Sequence, residues 1–174
     1  LLVENKDINF VPFFFSDLKN IAFNNSKFVG LRTNSGYSER KLFENLNFKN
    51  TELINLQGHS TNYKNVVFKN CKMENTDMRS AIIEDCSFED NDLKGSKFTG
   101  SSVRNSINIT NNDMTRCIFT DVRGLEDKVF KSTNFTSSSF NAVNLSRSRF
   151  VDCNLQGCQF IPILPRQARG DFDQ

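Results

Sequence analysis

The 174-residue chain has a net charge of +2, with 22 Lys and Arg against 20 Asp and Glu, which gives no strong electrostatic instruction toward nucleic acid or membrane. No apolar run approaches the roughly 18 residues of a spanning helix, and the start LLVENKDINF lacks the basic segment and cleavage site of a classical signal peptide. The composition departs from the ordinary in having 18 Phe and no Trp, abundant Asn, Ser and Thr, and one His. A first residue other than Met suggests a piece of a longer chain.

In chain order, an apolar residue returns every fifth position, at Val3, Ile8, Phe13, Leu18, Phe23 and Phe28. Neither a helix, with its period of 3.6, nor a strand, with its period of two, produces that step. Within this first run VPFFFSDL is unusual, because Phe13 keeps the frame while Phe14 and Phe15 are expected to point outward as a contact surface or as a cover on the first coil. After a gap at VGLRTNSGYSER (29–40) the frame holds at Phe43, Phe48 and Leu53, and after INLQGHS (54–60) from Tyr63 through Met73, Ile83 and Leu93 to Val103. Both gaps are multiples of five, so the frame survives them; sides with weaker residues, or loops that return to the same face, are expected there. A slip of one residue then gives Ile109, Met114 and Phe119. A second slip through TDVRGLEDK (120–128) restarts the frame at Phe130, which continues through Phe140 and Phe150 to Phe160. Of the 28 such centres, 14 are Phe. IPILPRQARGDFDQ abandons the period and reads as a cap or tail over 161–174, since Pro162 and Pro165 cannot donate to a ladder.

Two residues before most centres stands a small residue, as at Thr51, Cys71, Ala81, Cys86, Ser96, Cys117 and Ser138. The segments TDMRS, NDLKG, VNLSR and CNLQG carry the pattern small residue, Asp or Asn, apolar residue, two polar residues. In this the chain resembles the pentapeptide-repeat family over about residues 3–160. The resemblance implies an all-β fold, a right-handed quadrilateral parallel β-helix of about seven coils with loop interruptions and capped ends.

The charges test four sides independently of that resemblance. If a coil holds four fives, residues 20 apart stack, and opposite signs stabilise such neighbours. Between residues 3 and 107 the pairs at that spacing include Lys19/Glu39, Arg32/Glu52, Glu44/Lys64, Glu52/Lys72 and Lys69/Glu89, and eleven of twelve are opposite in sign. Seven coils at ~4.8 Å make a rod of roughly 34 Å. Its interior is expected to be filled by stacks such as Phe68 over Phe88, Phe130 over Phe150 and Phe140 over Phe160, leaving no substrate cavity.

The residues offer little catalytic chemistry. All five cysteines fall two before a centre and read as small inward residues without zinc-ligand clustering, and free thiols fit a reducing compartment. Nucleophilic catalysis would need His59, which lies at a break in the repeat. EDNDLKG opens like a calcium loop but has Lys94 at a ligand position and Ser101 where Glu is required. Arg169-Gly170-Asp171 matches an integrin-binding tripeptide by three residues only, and the four Asn-x-Ser/Thr sequons are expected in so Asn-rich a chain.

This segment is therefore expected to be no enzyme, without cofactor or metal, and without nucleic acid or membrane span. Its partner is expected to be a protein, bound where the repeat is interrupted, through Phe14, Phe15, Arg32, Tyr37, Arg40, His59, Arg123 and Glu126. Within the family, some members bind and protect topoisomerases such as gyrase through acidic, DNA-like faces, a pattern from which alternating charges depart. Others are bacterial secreted effectors, including ubiquitin-ligase types, in which such a β-helix binds substrate or host protein. The expectation is the latter, in the cytoplasm or delivered into a host cytosol; the alternatives are gyrase protection and a purely structural spacer. Whether coils meet end to end in a homodimer is left open.

Overall fold

The computed structural model describes residues 1–9, 17–33 and 40–162. Among them fourteen strands, from Leu2–Glu4 to Gln159–Ile161, pair in parallel and no helix occurs. Each five-residue step forms one side of a coil, and side follows side around a common axis.

The first side stacks Val3, Phe23, Phe48, Phe68, Phe88, Ile109, Phe130 and Phe150 in that order. On the second, Ile8, Phe28 and Leu53 stack, and bridges then run from Glu52 through Lys72, Asp92, Asp113 and Asn134 to Asn154. The third is bridged from Arg32 through Gln57, Asp77, Lys97 and Ile118 to Ser139 and ends with Phe140 over Phe160. The fourth stacks Leu18, Phe43, Tyr63, Ile83 and Val103. Seven steps along the first side give the expected seven coils.

The five-residue step has a backbone cause. The second residue after each centre turns the corner at positive φ, as at Asn25 (48°), Asn45 (54°), Asn65 (51°), Asn70 (52°) and Ser80 (55°). Most side chains avoid this region and Gly, Asn and Asp tolerate it. The Asn content follows, and the corner amides also pair along the rod. Asn65 Nδ2 donates to Asn45 Oδ1 at 2.8 Å and Asn70 Nδ2 to Asn50 Oδ1 at 2.9 Å.

Parallel in-register stacking brings equivalent rings to the strand spacing. Phe48 and Phe68 lie 5.2 Å apart at 7°, Phe68 and Phe88 5.1 Å at 19°, Phe130 and Phe150 4.7 Å at 15°, and Phe140 and Phe160 5.2 Å at 6°. The small residues two before each centre turn inward beside them and satisfy neighbouring carbonyls. Ser96 Oγ donates to Met73 O at 3.1 Å, and the buried Asn91 and Asn112 donate to Phe68 O and Phe88 O at 2.9 and 2.8 Å.

The two early gaps differ from expectation. Residues 54–60 form a regular third side rather than a loop, with Leu56 buried and Gln57 bridging Asp77. Its centre is Gly58, whose missing side chain is replaced by Tyr63: a Cβ at Gly58 would lie 1.8 Å from the Tyr63 hydroxyl oxygen. Of 29–40, the first part also stays in the coil, with Leu31 and Thr33 buried. The register there jumps by 25, as in Phe23 opposite Phe48 and Arg32 opposite Gln57. The chain between Thr33 and Phe43 is thus five residues longer than one regular side, and residues 34–39 there lie outside the described residues.

That insertion corrects two of the charge pairs. Lys19 meets Glu44 at 3.8 Å, not Glu39, and Glu52 meets Lys27 at 3.8 Å, not Arg32. Beyond the insertion the spacing of 20 holds, with Lys64–Glu44 at 3.8 Å, Lys72–Glu52 at 2.6 Å and Lys69–Glu89 at 3.0 Å.

Two stability outcomes follow. Phe68→Ala removes the middle ring of a fully buried stack and is expected to cost about 3–5 kcal/mol in urea unfolding. Asn65→Val and Asn65→Gly both lose the amide ladder, but only Val is strained at φ 51°. The Val variant is expected to be less stable than the Gly variant by about 1–3 kcal/mol in the same experiment.

Candidate functional site

Two of the three interruptions lie at or beside one edge of the rod, and the third, a bulge between Arg104 and Ile107, lies on the next edge, between the fourth and first sides. The insertion lies between Thr33 on the third side and Phe43 on the fourth, and the irregular 120–128 starts after Phe119 on the third side and runs through the fourth side, whose centre there is Leu125. The edge between these sides carries the corners Ser60, Ser80, Gly100, Asp121 and Ala142, each at positive φ.

The irregularity at 120–128 is a one-residue excess. Val122 is buried at the position two before the old frame's centre, which would have been Gly124. At φ 80°, a Cβ there would lie 2.0 Å from the Val103 carbonyl oxygen, so only glycine fits, and Leu125 turns inward as the centre instead. The earlier slip is a bulge between Arg104 and Ile107. Its extra residue is held by Asp85, whose Oδ1 accepts from Ser106 Oγ at 2.8 Å and whose Oδ2 accepts from Asn105 Nδ2 at 3.0 Å. These bonds hold the Asp85 carboxyl below its usual range. The two bulges are neighbours across adjacent coils, and Lys128 Nζ ties them by donating to Asn105 O at 2.7 Å.

Below the second bulge the ladder opens. Asp121 N donates to Asn141 O and Asp127 N to Ser146 O, both at 3.0 Å, but no backbone hydrogen bond joins 122–126 to 142–145. A surface groove of about 720 Å³ occupies this opening, lined by Gly100, Asp121, Arg123, Gly124, Glu126 and Ala142 among others. Arg123 is exposed. Glu126 Oε2 is buried and has no hydrogen-bond partner, a costly state for an acceptor-only carboxylate.

The other candidate residues are placed as follows. Arg123 and Glu126 share the groove. Arg40 Nη1 donates to Ser80 O on the same edge, and His59 precedes the corner residue Ser60. Nearby, Asp77 is partly desolvated, which raises its pKa, but hydrogen bonds and charge from Arg79, with a smaller electrostatic contribution from His59, bring the carboxyl below its usual value. Arg32 is exposed on the third side opposite Gln57. Phe14, Phe15 and Tyr37 lie outside the described residues. Sequence reasoning missed Gly124 as the bulge residue, Leu125 as a centre and the groove itself. The signal available was positional, since both breaks follow a third-side centre.

Elsewhere the chemistry is structural. Cys71, Cys86 and Cys117 are buried and their thiols donate to carbonyls, Cys117 Sγ to Leu93 O at 3.1 Å. Burial pushes Cys71 and Cys86 up to about 11 and Cys117 up to about 12. In EDNDLKG, Lys94 Nζ lies 2.9 Å from Asp92 and 3.4 Å from Asp113, filling the space between the carboxylates. No cluster of metal-ligating side chains occurs among the described residues.

Four sides, a five-residue step and all-parallel stacking define a quadrilateral β-solenoid. The chain is a pentapeptide-repeat protein: the family model "Pentapeptide repeats" matches residues 62–100 and 129–161 in eight copies. The unmatched stretch between them contains both bulges and much of the groove. No curated protein matches the chain in sequence. Three solved structures with the same fold are of QnrB1, a plasmid-mediated fluoroquinolone resistance protein. A trypsin-treated form is 14% identical, with 91% of each chain covered and a TM-score of 0.59. The full-length form is 13% identical over 91% of this chain and 93% of that one, with a TM-score of 0.53. A second trypsin-treated form is 19% identical over 92% and 77%, with a TM-score of 0.51.

Thiol labelling tests the inward placement of the cysteines. At pH 8 the folded protein is expected to leave Cys71, Cys86 and Cys117 unmodified, because their thiolates are scarce as well as shielded, and denaturant is expected to release all three.

Proposed function

We propose that this segment is a non-catalytic protein-binding module that docks through the edge between its third and fourth sides. The observation that carries the reading is the gathering at that edge of a five-residue insertion, a bulge and a groove of about 720 Å³, with the other bulge, between Arg104 and Ile107, one corner further on. Binding residues gather on loops and irregular segments held by a rigid scaffold, and these interruptions are such segments. The finer reading is the substrate- or host-protein-binding β-helix of a larger bacterial effector of the ubiquitin-ligase type, and the irregularity of the array supports it.

A second reading, topoisomerase binding, is favoured by the QnrB1 fold over 91% of both chains. Against it stand the charges. The exposed Arg32, Arg116 and Arg123 are placed among alternating ladders rather than on an acidic surface.

The test is a pull-down from host-cell and bacterial lysates, with an Arg32→Glu/Arg123→Glu variant beside the unmodified protein. Deleting 120–128 is unsuitable because it removes the buried Val122 and Leu125. A partner captured by the protein and lost by the folded variant is the expected result. Equal capture by both would remove the edge as the docking surface and favour the spacer. Protection of gyrase in a supercoiling assay with a fluoroquinolone would select the second reading.

A further inference from the structure

We propose that the rod carries a hinge at the seam between 122–126 and 142–145, which opens on the fourth side, pivots about the paired second side and is latched by Arg147 on Asp127. The hinge is a property of the fold and does not depend on the docking reading.

Four observations meet at this seam. The first is the missing ladder: backbone hydrogen bonds close the seam only at its two corners, from Asp121 N to Asn141 O and from Asp127 N to Ser146 O, both at 3.0 Å. The second is strain on the facing segment. Of the three corners among the described residues that are not Asn, Asp, Gly or Ser, two are Ala142 (53°) and Arg147 (58°), which bound it. Such residues are held at positive φ against their preference, and strain of this kind gathers where a segment switches between arrangements. The third is packing. An interior void of about 10 Å³ lies against Val103, Val122 and Leu125, and Ser101, which also lines it, has a buried Oγ without a partner. The fourth is the contrast with the opposite side, where Met114 N donates to Asn134 O and Phe135 N to Asn154 O, both at 2.8 Å. The first and third sides stay paired as well, so the coils part at one face only.

Side chains span the seam where the ladder does not. Arg147 Nε and Nη2 donate to Asp127 Oδ1 and Oδ2 at 2.5 and 2.7 Å, a two-bond fork between neighbouring coils, and Ser148 Oγ donates to Leu125 O at 2.5 Å. Both members of the ion pair are exposed, so it contributes little to global stability and can release without unfolding a coil. Opening the seam widens the groove that already lies in it and bends the rod. The cause is the extra residue at Gly124, since removing it returns Phe119 and Phe130 to a spacing of two regular steps.

Native-state hydrogen exchange of the labelled protein, read as amide protection factors, tests the hinge. Asp121 and Asp127 are compared with Ser80 and Asn65, which close the same corners of unbroken coils by bonds of 2.9 Å to Thr99 O and Glu84 O. The first two are expected to be at least about tenfold less protected, while Met114 on the second side matches Met73. Equal protection of the four corner amides would overturn the hinge. Loss of protection at Met114 as large as at Asp121 would mark a fraying end and also overturn it. Deleting Gly124 is expected to bring Asp121 to within about threefold of Ser80, and unchanged exchange in that variant would overturn the bulge as the cause. Asp127→Asn keeps a residue suited to φ 61° and removes the latch charge. It is expected to lower the protection of Asp121 about two- to fivefold and to leave Met114 alone, and no change at Asp121 would overturn the latch. Should the deletion fail to fold, the comparison within the unmodified protein still decides.

Discussion

Everything in this rod depends on a backbone corner at positive φ once in every five residues. Because few residue types occupy that conformation without strain, the sequence supplies mostly Asn, Gly, Asp or Ser there, at Asn25, Asn50, Asn70 and Asp90 along one corner and Asn20, Asn45, Asn65 and Asp85 along another, with Arg116, Ala142 and Arg147 as exceptions. Once the corners are fixed, each side is too short to hold more than one large inward residue and one small one. The side chains then have no freedom of register: equivalent residues stack at the strand spacing, and Phe, which is flat, stacks on itself. At most centres the hydroxyl, thiol or amide two before reaches a carbonyl of the neighbouring coil, as at Ser96, Asn91 and Cys117, though Ser101 Oγ finds no partner.

The same corner governs which irregularities the fold can absorb. A whole extra five can leave between Thr33 and Phe43 and return in frame, shifting the neighbours from 20 to 25 apart without turning any side chain over. A single extra residue cannot be hidden in that way. It must be taken up by a bulge, and a bulge pressed against the next coil needs either no side chain, as at Gly124, or a dedicated acceptor, as Asp85 gives Asn105 and Ser106.

This distinction explains what the sequence made legible. The five-residue period, the inward cysteines and the stacks Phe68 on Phe88 and Phe140 on Phe160 were readable because each repeats a local rule many times. The four-sided coil was readable from charge alone, although Lys19 and Lys27 pair five residues further along than a uniform spacing of 20 would place them. The regular side at Gly58 was not readable as such, because the volume its side chain would fill is taken by Tyr63 from the following side. No period reports a long-range substitution of that kind. Arg123 and Glu126 could be singled out as residues at a break, but the groove between them arises from missing ladder bonds to 142–145, which belong to two coils at once.

The groove also bears on whether the rod is only a spacer. A spacer gains from an unbroken ladder, since each coil contributes hydrogen bonds and stacked area to the next and nothing is returned by opening it. Here adjacent coils are bulged, the ladder opens on one side, and Glu126 is left with a buried acceptor oxygen unmatched. Leaving a buried acceptor unpaired costs about 1–3 kcal/mol, more when it is charged. Concentrating such costs around the fourth side, one edge of which carries the insertion, places the departures from regularity where a partner could offset them. A rod under selection for length alone would have no reason to keep them together.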